Sequence, residues 1–157
     1  MAFDTGSESD VHALERLATD MIGWLTTVTP DGQPQTFPIW FLWEDGEALI
    51  FSDKRAKRNI NIAANPRVTL HLNDNGKGGD IVILEGEARV DEATPQLPDH
   101  VAYRSKYEQW IIDFIGSAEE MATIYNVPIR IRPTRGRAFG TCARDAVQPW
   151  WWWRWLR

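Results

Sequence analysis

The chain is 157 residues long (18.0 kDa), with 43% apolar and 25% charged residues, the proportions of one ordinary globular domain and not of a disordered or fibrous chain. Its lone cysteine, Cys142, excludes an intramolecular disulfide or a cysteine-built zinc cage, and its apolar runs fall short of the ~20 residues that cross a bilayer. A net charge of −5 argues against a general nucleic-acid binder. The acidic, polar start over residues 1–10 lacks the order of a signal peptide, so a cytoplasmic protein is expected.

Val11, Leu14, Leu17, Ala18 and Met21 recur at helical spacing, predicting a short helix with Ser7 or Ser9 as N-cap and Gly23 at its end. Residues 24–29 and 35–43 read as a hairpin around the Pro30-Asp31-Gly32 turn. On the return strand Phe37, Ile39, Phe41 and Trp43 face one way and Thr36, Pro38, Trp40 and Leu42 the other. Both faces are largely apolar, so neither is expected to be fully solvated, and Pro34 and Pro38 place the strand at an edge or irregularity. A tight turn over residues 44–47 leads to a strand over 48–52. Lys54 to Ala64 then reads as a helix burying Ile60, Ala63 and Ala64 and stopped by Asn65-Pro66. Strands follow over 67–72, with Val68, Leu70 and Leu72 inward, and over 81–90, flanking a glycine-rich loop. A second helix places Tyr103, Tyr107, Trp110, Ile111 and Phe114 on one face and ends at Gly116. Ser117-x-x-Glu120 caps a third, and alternation at Val127, Ile129 and Ile131 marks a last strand. The order predicts a mainly β, α+β fold: antiparallel strands closing into a small barrel with helices at its ends.

Charge is uneven along the chain. From Ile129 onward there are seven arginines and one acid, Asp145, so residues 1–128 carry −11. Lys54, Arg55, Lys57, Arg58 and Arg67 form a second island without an acid. The stretch from Ser52 to Asn59 runs from strand into helix N-terminus, where free N–H groups, the positive end of the dipole and several cations would hold a phosphate. A solvated basic helix face is the other reading of the same residues. Trp24, Trp40 and Trp43 read as one wall of a flat-ring pocket or as core residues. His12, His71 and His100 lie apart without metal-ligand spacing, so no metal is expected, and His71 reads as structural. No nucleophile elbow, dinucleotide glycine motif or Walker loop occurs. The Trp/Arg-rich tail, residues 138–157, holds five of the nine tryptophans. A neighbouring subunit, the ligand mouth or, less favoured, a membrane surface would have to cover it.

The blocks Gly23–Val28, Pro30–Pro34, Pro38–Trp43, Arg58-Asn59-Ile60, Asn65–Leu72, Gly78–Val82 and Val127–Arg135 occur in an order that closely resembles the pyridoxamine-5'-phosphate-oxidase-like split-barrel flavoproteins. Within them the chain is most similar to the branch that uses the deazaflavin coenzyme F420. The resemblance, over residues 11–137, implies a split-barrel domain spanning residues 1–137 and a homodimer with two cofactor sites at the subunit interface. It implies that Arg55, Lys57, Arg58 and Asn59, with Ser52 nearby, hold the cofactor phosphate. Pro38, Ile39 and Trp40 would run along the ring system through their backbone groups, and Lys77, Gly79 and Asp80 of the other chain would approach from the opposite side. The pattern departs at Ala56, where the resemblance would place a lysine; Lys57 follows one step later. The implied activity is hydride transfer from reduced F420 to a small unsaturated molecule, with no protein acid or base assigned. An FMN-dependent oxidase or reductase and a non-catalytic flavin-, F420- or haem-handling protein are the alternatives. Arg130, Arg132 and Arg135 would favour F420, whose tail is acidic, if they lie near the site.

Overall fold

The computed structural model describes Phe3 and residues 6–139. The chain runs through α1 (Glu8–Thr19), β1 (Ile22–Val28), β2 (Pro34–Trp40), β3 (Leu42–Glu44), β4 (Glu47–Asp53) and α2 (Lys57–Ala64). It continues through β5 (Arg67–Leu72), β6 (Ile81–Val90), a 3₁₀ turn (Leu97–Asp99), α3 (Val101–Phe114), α4 (Ala118–Ile124) and β7 (Tyr125–Phe139). The seven strands form one antiparallel sheet in the order β2-β1-β5-β6-β7-β4-β3. Its edge strands, β2 and β3, are separated in the chain by Phe41 alone. Seven strands whose two edges are covalent neighbours must curl, and the result is the expected split barrel with flanking helices.

The predicted return strand over 35–43 is therefore two strands, each on its own edge of the sheet. Tyr107 of α3 fixes the crossing. Its hydroxyl accepts the Phe41 N–H at 2.8 Å and lies 2.7 Å from both the Phe41 and Met21 carbonyl oxygens, between which its one proton is shared. The two apolar faces separate as expected. Ile39 and Phe41 enter the barrel interior with Leu25, Ile50, Leu70 and Ile129, while Trp40 and Leu42 turn outward beneath α3. Strand β4 is apolar on both sides for the same reason. Ala48 and Ile50 join the interior, whereas Leu49 and Phe51 pack with Leu97, Tyr103, Tyr107 and Met121. Each Leu or Ile so buried contributes roughly 1.5–3 kcal/mol relative to exposure.

Several boundaries differ from the sequence reading. Helix α1 stops at Asp20, and Gly23 lies inside β1, where a Cβ would meet Leu70 Cδ1 at 2.8 Å and the Phe41 ring at 3.3 Å. Ser7 occupies the N-cap position without a side-chain cap bond; its hydroxyl pairs with that of Ser9 at 2.9 Å. Helix α2 starts three residues later than predicted and is turned the other way: Asn61 and Ile62 are buried, and Ile60, Ala63 and Ala64 are exposed. On α3, Phe114 is exposed despite sharing the side of buried Tyr103 and Tyr107. Ser117 does cap α4, accepting the Glu120 N–H at 3.1 Å. Strand β7 runs on to Phe139, through a register shift where Gly86 faces Pro133. Most of the Trp/Arg-rich tail, with Cys142, lies outside the described residues.

Candidate functional site

The end of β4 delivers the chain to α2 through Asp53 and Lys54-Arg55-Ala56. The Asp53 carboxylate accepts the Arg55 backbone N–H at 2.8 Å and chelates its guanidinium, with Nε at 3.1 Å and Nη2 at 2.9 Å. This pairing holds the Asp53 carboxyl down at about 2. Arg55 is therefore engaged within its own loop. Ala56 takes the N-cap position, has no side-chain acceptor to offer the first-turn amides, and is followed by a first turn without an acid. Such uncapped N–H groups attract an anion.

Arg58, in the first turn, is half-buried and lies over the Phe37 ring at 5.9 Å from the centroid. Burial pulls its guanidinium below the ordinary arginine value, and no carboxylate approaches within 4.0 Å of it among the described residues. A half-buried, unpaired guanidinium is costly unless an anion joins it. Asn59 donates from Nδ2 to the Asp53 carbonyl at 2.9 Å, while its buried Oδ1 has no partner. Lys57 is exposed on the same turn, and Ser52 is buried at the end of β4, its hydroxyl 3.4 Å from the Asp53 carbonyl.

The Arg58–Phe37 contact brings this corner onto β2. That strand pairs only with β1, so its other edge presents free backbone groups beside exposed Pro38. Ile39 is buried, leaving only its backbone to a ligand, and Trp40 turns toward α3. The structure therefore brings together Pro38, the Ile39 backbone, Ser52, Arg55, Lys57, Arg58 and Asn59. Phe37, the platform under Arg58, was not among the candidates, being placed only on one of the two apolar faces of its strand; it is 45% exposed.

Lys77, Gly79 and Asp80 stand elsewhere. Their loop follows Leu72, which pairs with Gly23 at the start of β1, whereas α2 is tied to the far end of β1 by the Asn61 Nδ2–Thr27 hydrogen bond of 3.0 Å. About 13 Å of strand separates these two points. Asp80, at φ +58°, accepts from His12 or pairs with it at 3.0 Å and meets Arg16 at 3.3 Å. Within one chain the loop and the basic corner do not meet.

One further expectation changes. Trp24, Trp40 and Trp43 form no common wall: Trp24 stacks on His71, Trp40 on Tyr107, and Trp43 packs on the barrel interior. Arg130 is bound by Glu44 at 2.8 Å and Asp91 at 3.0 Å, and Arg132 lies 3.5 Å from Glu87. Two of the three arginines of that zone thus have acidic partners within the chain, and Arg135 has none among the described residues. Every histidine is engaged: His12 by Asp80, His71 by the Leu72 carbonyl at 3.1 Å, and His100 by Glu44 at 3.2 Å.

The geometry is that of a basic strand-to-helix corner beside a free strand edge on a split barrel, and the family model for pyridoxamine 5'-phosphate oxidase matches residues 11–139. The chain belongs to that family. No curated protein matches it. Among solved structures it is similar to an F420 reductase, at 25% identity over 78% of this chain and 94% of that one, with a TM-score of 0.58. An FAD-binding protein from Mesorhizobium loti shares 22% identity over 80% and 90% of the two chains, with a TM-score of 0.56. The haem storage protein HutZ from Vibrio cholerae shares 15% identity over 85% and 96%, with a TM-score of 0.61. The last two likenesses speak to the fold alone.

Proposed function

We propose that this member of the pyridoxamine 5'-phosphate oxidase family is an oxidoreductase that uses reduced coenzyme F420 to reduce a small unsaturated organic molecule. The observation that carries the reading is Arg58: half-buried, without a carboxylate, laid on Phe37 and beside the uncapped first turn of α2. Arg58, Lys57 and the first-turn amides would hold the cofactor phosphate. The orphan Asn59 Oδ1 would accept from a hydroxyl or N–H of the ligand, and the free edge of β2 at Pro38–Ile39 would meet the polar side of the ring. The bound coenzyme supplies the hydride. The chain's part is to fix the ring, exclude water from it and position the acceptor.

The likeness to an F420 reductase favours the deazaflavin; FMN is the alternative that the same phosphate corner would accept. A homodimer, with the Lys77–Asp80 loop of a second copy closing over the ring, is part of the proposal, because one chain alone leaves that loop at the other end of the barrel. Titrating the full chain with F420 and with FMN, followed by visible absorption and fluorescence, tests the reading. Tight uptake of F420 supports it, uptake of FMN alone moves the protein to the alternative, and uptake of neither ends it.

A further inference from the structure

Helix α3 turns Trp110, Asp113 and Phe114 toward Trp40, and these four side chains line a shallow, open cleft of about 480 Å³. The walls are aromatic and fixed. Trp40 lies flat against Tyr107, with centroids 5.0 Å apart and planes 9° from parallel, and meets Trp110 nearly edge-on at 5.3 Å. Phe114 stands perpendicular to Trp110 at 6.3 Å and is 74% exposed, so ring surface is left uncovered. The remaining lining group is a carboxylate. Asp113 accepts a hydrogen bond from Gln109 Nε2 at 2.8 Å, and no Lys, Arg or His comes within 4.0 Å of it among the described residues.

Ring faces carry negative electrostatic potential, and an unpaired carboxylate adds to it. A cleft built this way repels anions. It gains little from a small inorganic cation, which keeps its water, and most from a cation already clothed in apolar groups. Its position relates it to the redox site. Trp40 directly follows Pro38 and Ile39 on β2 and leaves the strand on the face opposite Phe37, the platform of Arg58, so the cleft adjoins the stretch assigned to the ring and lies across the strand from the phosphate corner.

We infer that this cleft receives the substrate and that the substrate is an unsaturated organic molecule bearing an ammonium group, its apolar body against Trp40, Trp110 and Phe114 and its charge beside Asp113. The inference rests on the reading that the coenzyme ring runs along β2. The test uses the full-length chain with benzyltrimethylammonium as probe and benzyl alcohol as its neutral control. Binding is read from broadening of the probe's N-methyl resonance and by calorimetry, and cofactor titrations are run separately. The expected result is that the ammonium binds at least about fivefold tighter than the alcohol. Asp113→Asn should weaken it about fivefold and Trp110→Leu about tenfold, with cofactor affinity unmoved in both variants. Equal probe affinity in Asp113→Asn and the parent chain, or no binding while the cofactor still binds, overturns the substrate class alone. Probe binding without any cofactor uptake overturns both the cofactor reading and the cleft's role as substrate site.

Discussion

Tyr107→Phe isolates the hydroxyl that holds the two sheet edges together. In the folded chain that group accepts the Phe41 N–H at 2.8 Å and shares its proton between the Phe41 and Met21 carbonyls, both at 2.7 Å. The phenyl ring of the variant keeps the stack on Trp40 at 5.0 Å and the contact with Tyr103 at 4.9 Å, so packing is spared. What remains is a buried backbone donor without an acceptor, a loss of roughly 1–3 kcal/mol, and one carbonyl hydrogen bond of about 1 kcal/mol. Together these amount to about 2–4 kcal/mol. At ~2–4 °C per kcal/mol for a chain of this size, Tm should fall by about 5–15 °C. In urea the midpoint should drop with an unchanged slope, since the surface exposed on unfolding is the same. A loss below about 1 kcal/mol would show that water or a backbone shift replaces the hydroxyl, and the seam would then need another explanation.

Arg58→Ala should weaken phosphate-bearing cofactor about 10–100-fold, whereas Arg55→Ala, whose guanidinium is already chelated by Asp53, should change it less than about threefold; calorimetric titration separates the two. Lys106 lies over the Phe41 ring at 4.5 Å with its amine buried and unpartnered, and burial pushes its pKa down to about 8. Because the folded value lies below the unfolded one, the charged amine opposes folding fully below pH 8, and the opposition fades as the pH rises toward the unfolded value. Lys106→Met should therefore raise Tm more at pH 7 than at pH 10, and an equal gain at both would contradict the assignment. Gly86→Ala would bring a Cβ to 2.5 Å from the Arg132 carbonyl oxygen at the register shift; a loss of about 2 kcal/mol or more is expected in chemical denaturation.

Much of the fold was legible because alternation survives wherever a strand has one face in the barrel, as in Val68, Leu70 and Leu72 of β5. It failed where the deciding contact lies far away in sequence. Residues 35–43 read as one strand, since nothing local marks Phe41 as the crossing; the partner that stabilises the break, Tyr107, lies 66 residues on. Helix α2 was rotated wrongly because its buried face is half polar, Asn61 beside Ile62. Asn61 reaches Thr27 at 3.0 Å and Gln35 at 3.2 Å, and a satisfied buried amide is invisible to hydrophobic periodicity, which selected Ile60 instead. Pro133 similarly hid the continuation of β7, which passes it by pairing with a glycine. At the site, the cluster of cations was plain from composition. Which of them is free was not, because that depends on Asp53 capturing Arg55 and on Phe37 lying under Arg58.

The most direct test of the cofactor corner is a crystal structure of the full chain with F420 or FMN bound. The phosphate is predicted within hydrogen-bond distance of the Arg58 guanidinium and the first-turn amides of α2, with the ring running along Pro38 and Ile39. A phosphate bound elsewhere, with Arg58 still resting on Phe37 and facing only water, would contradict it.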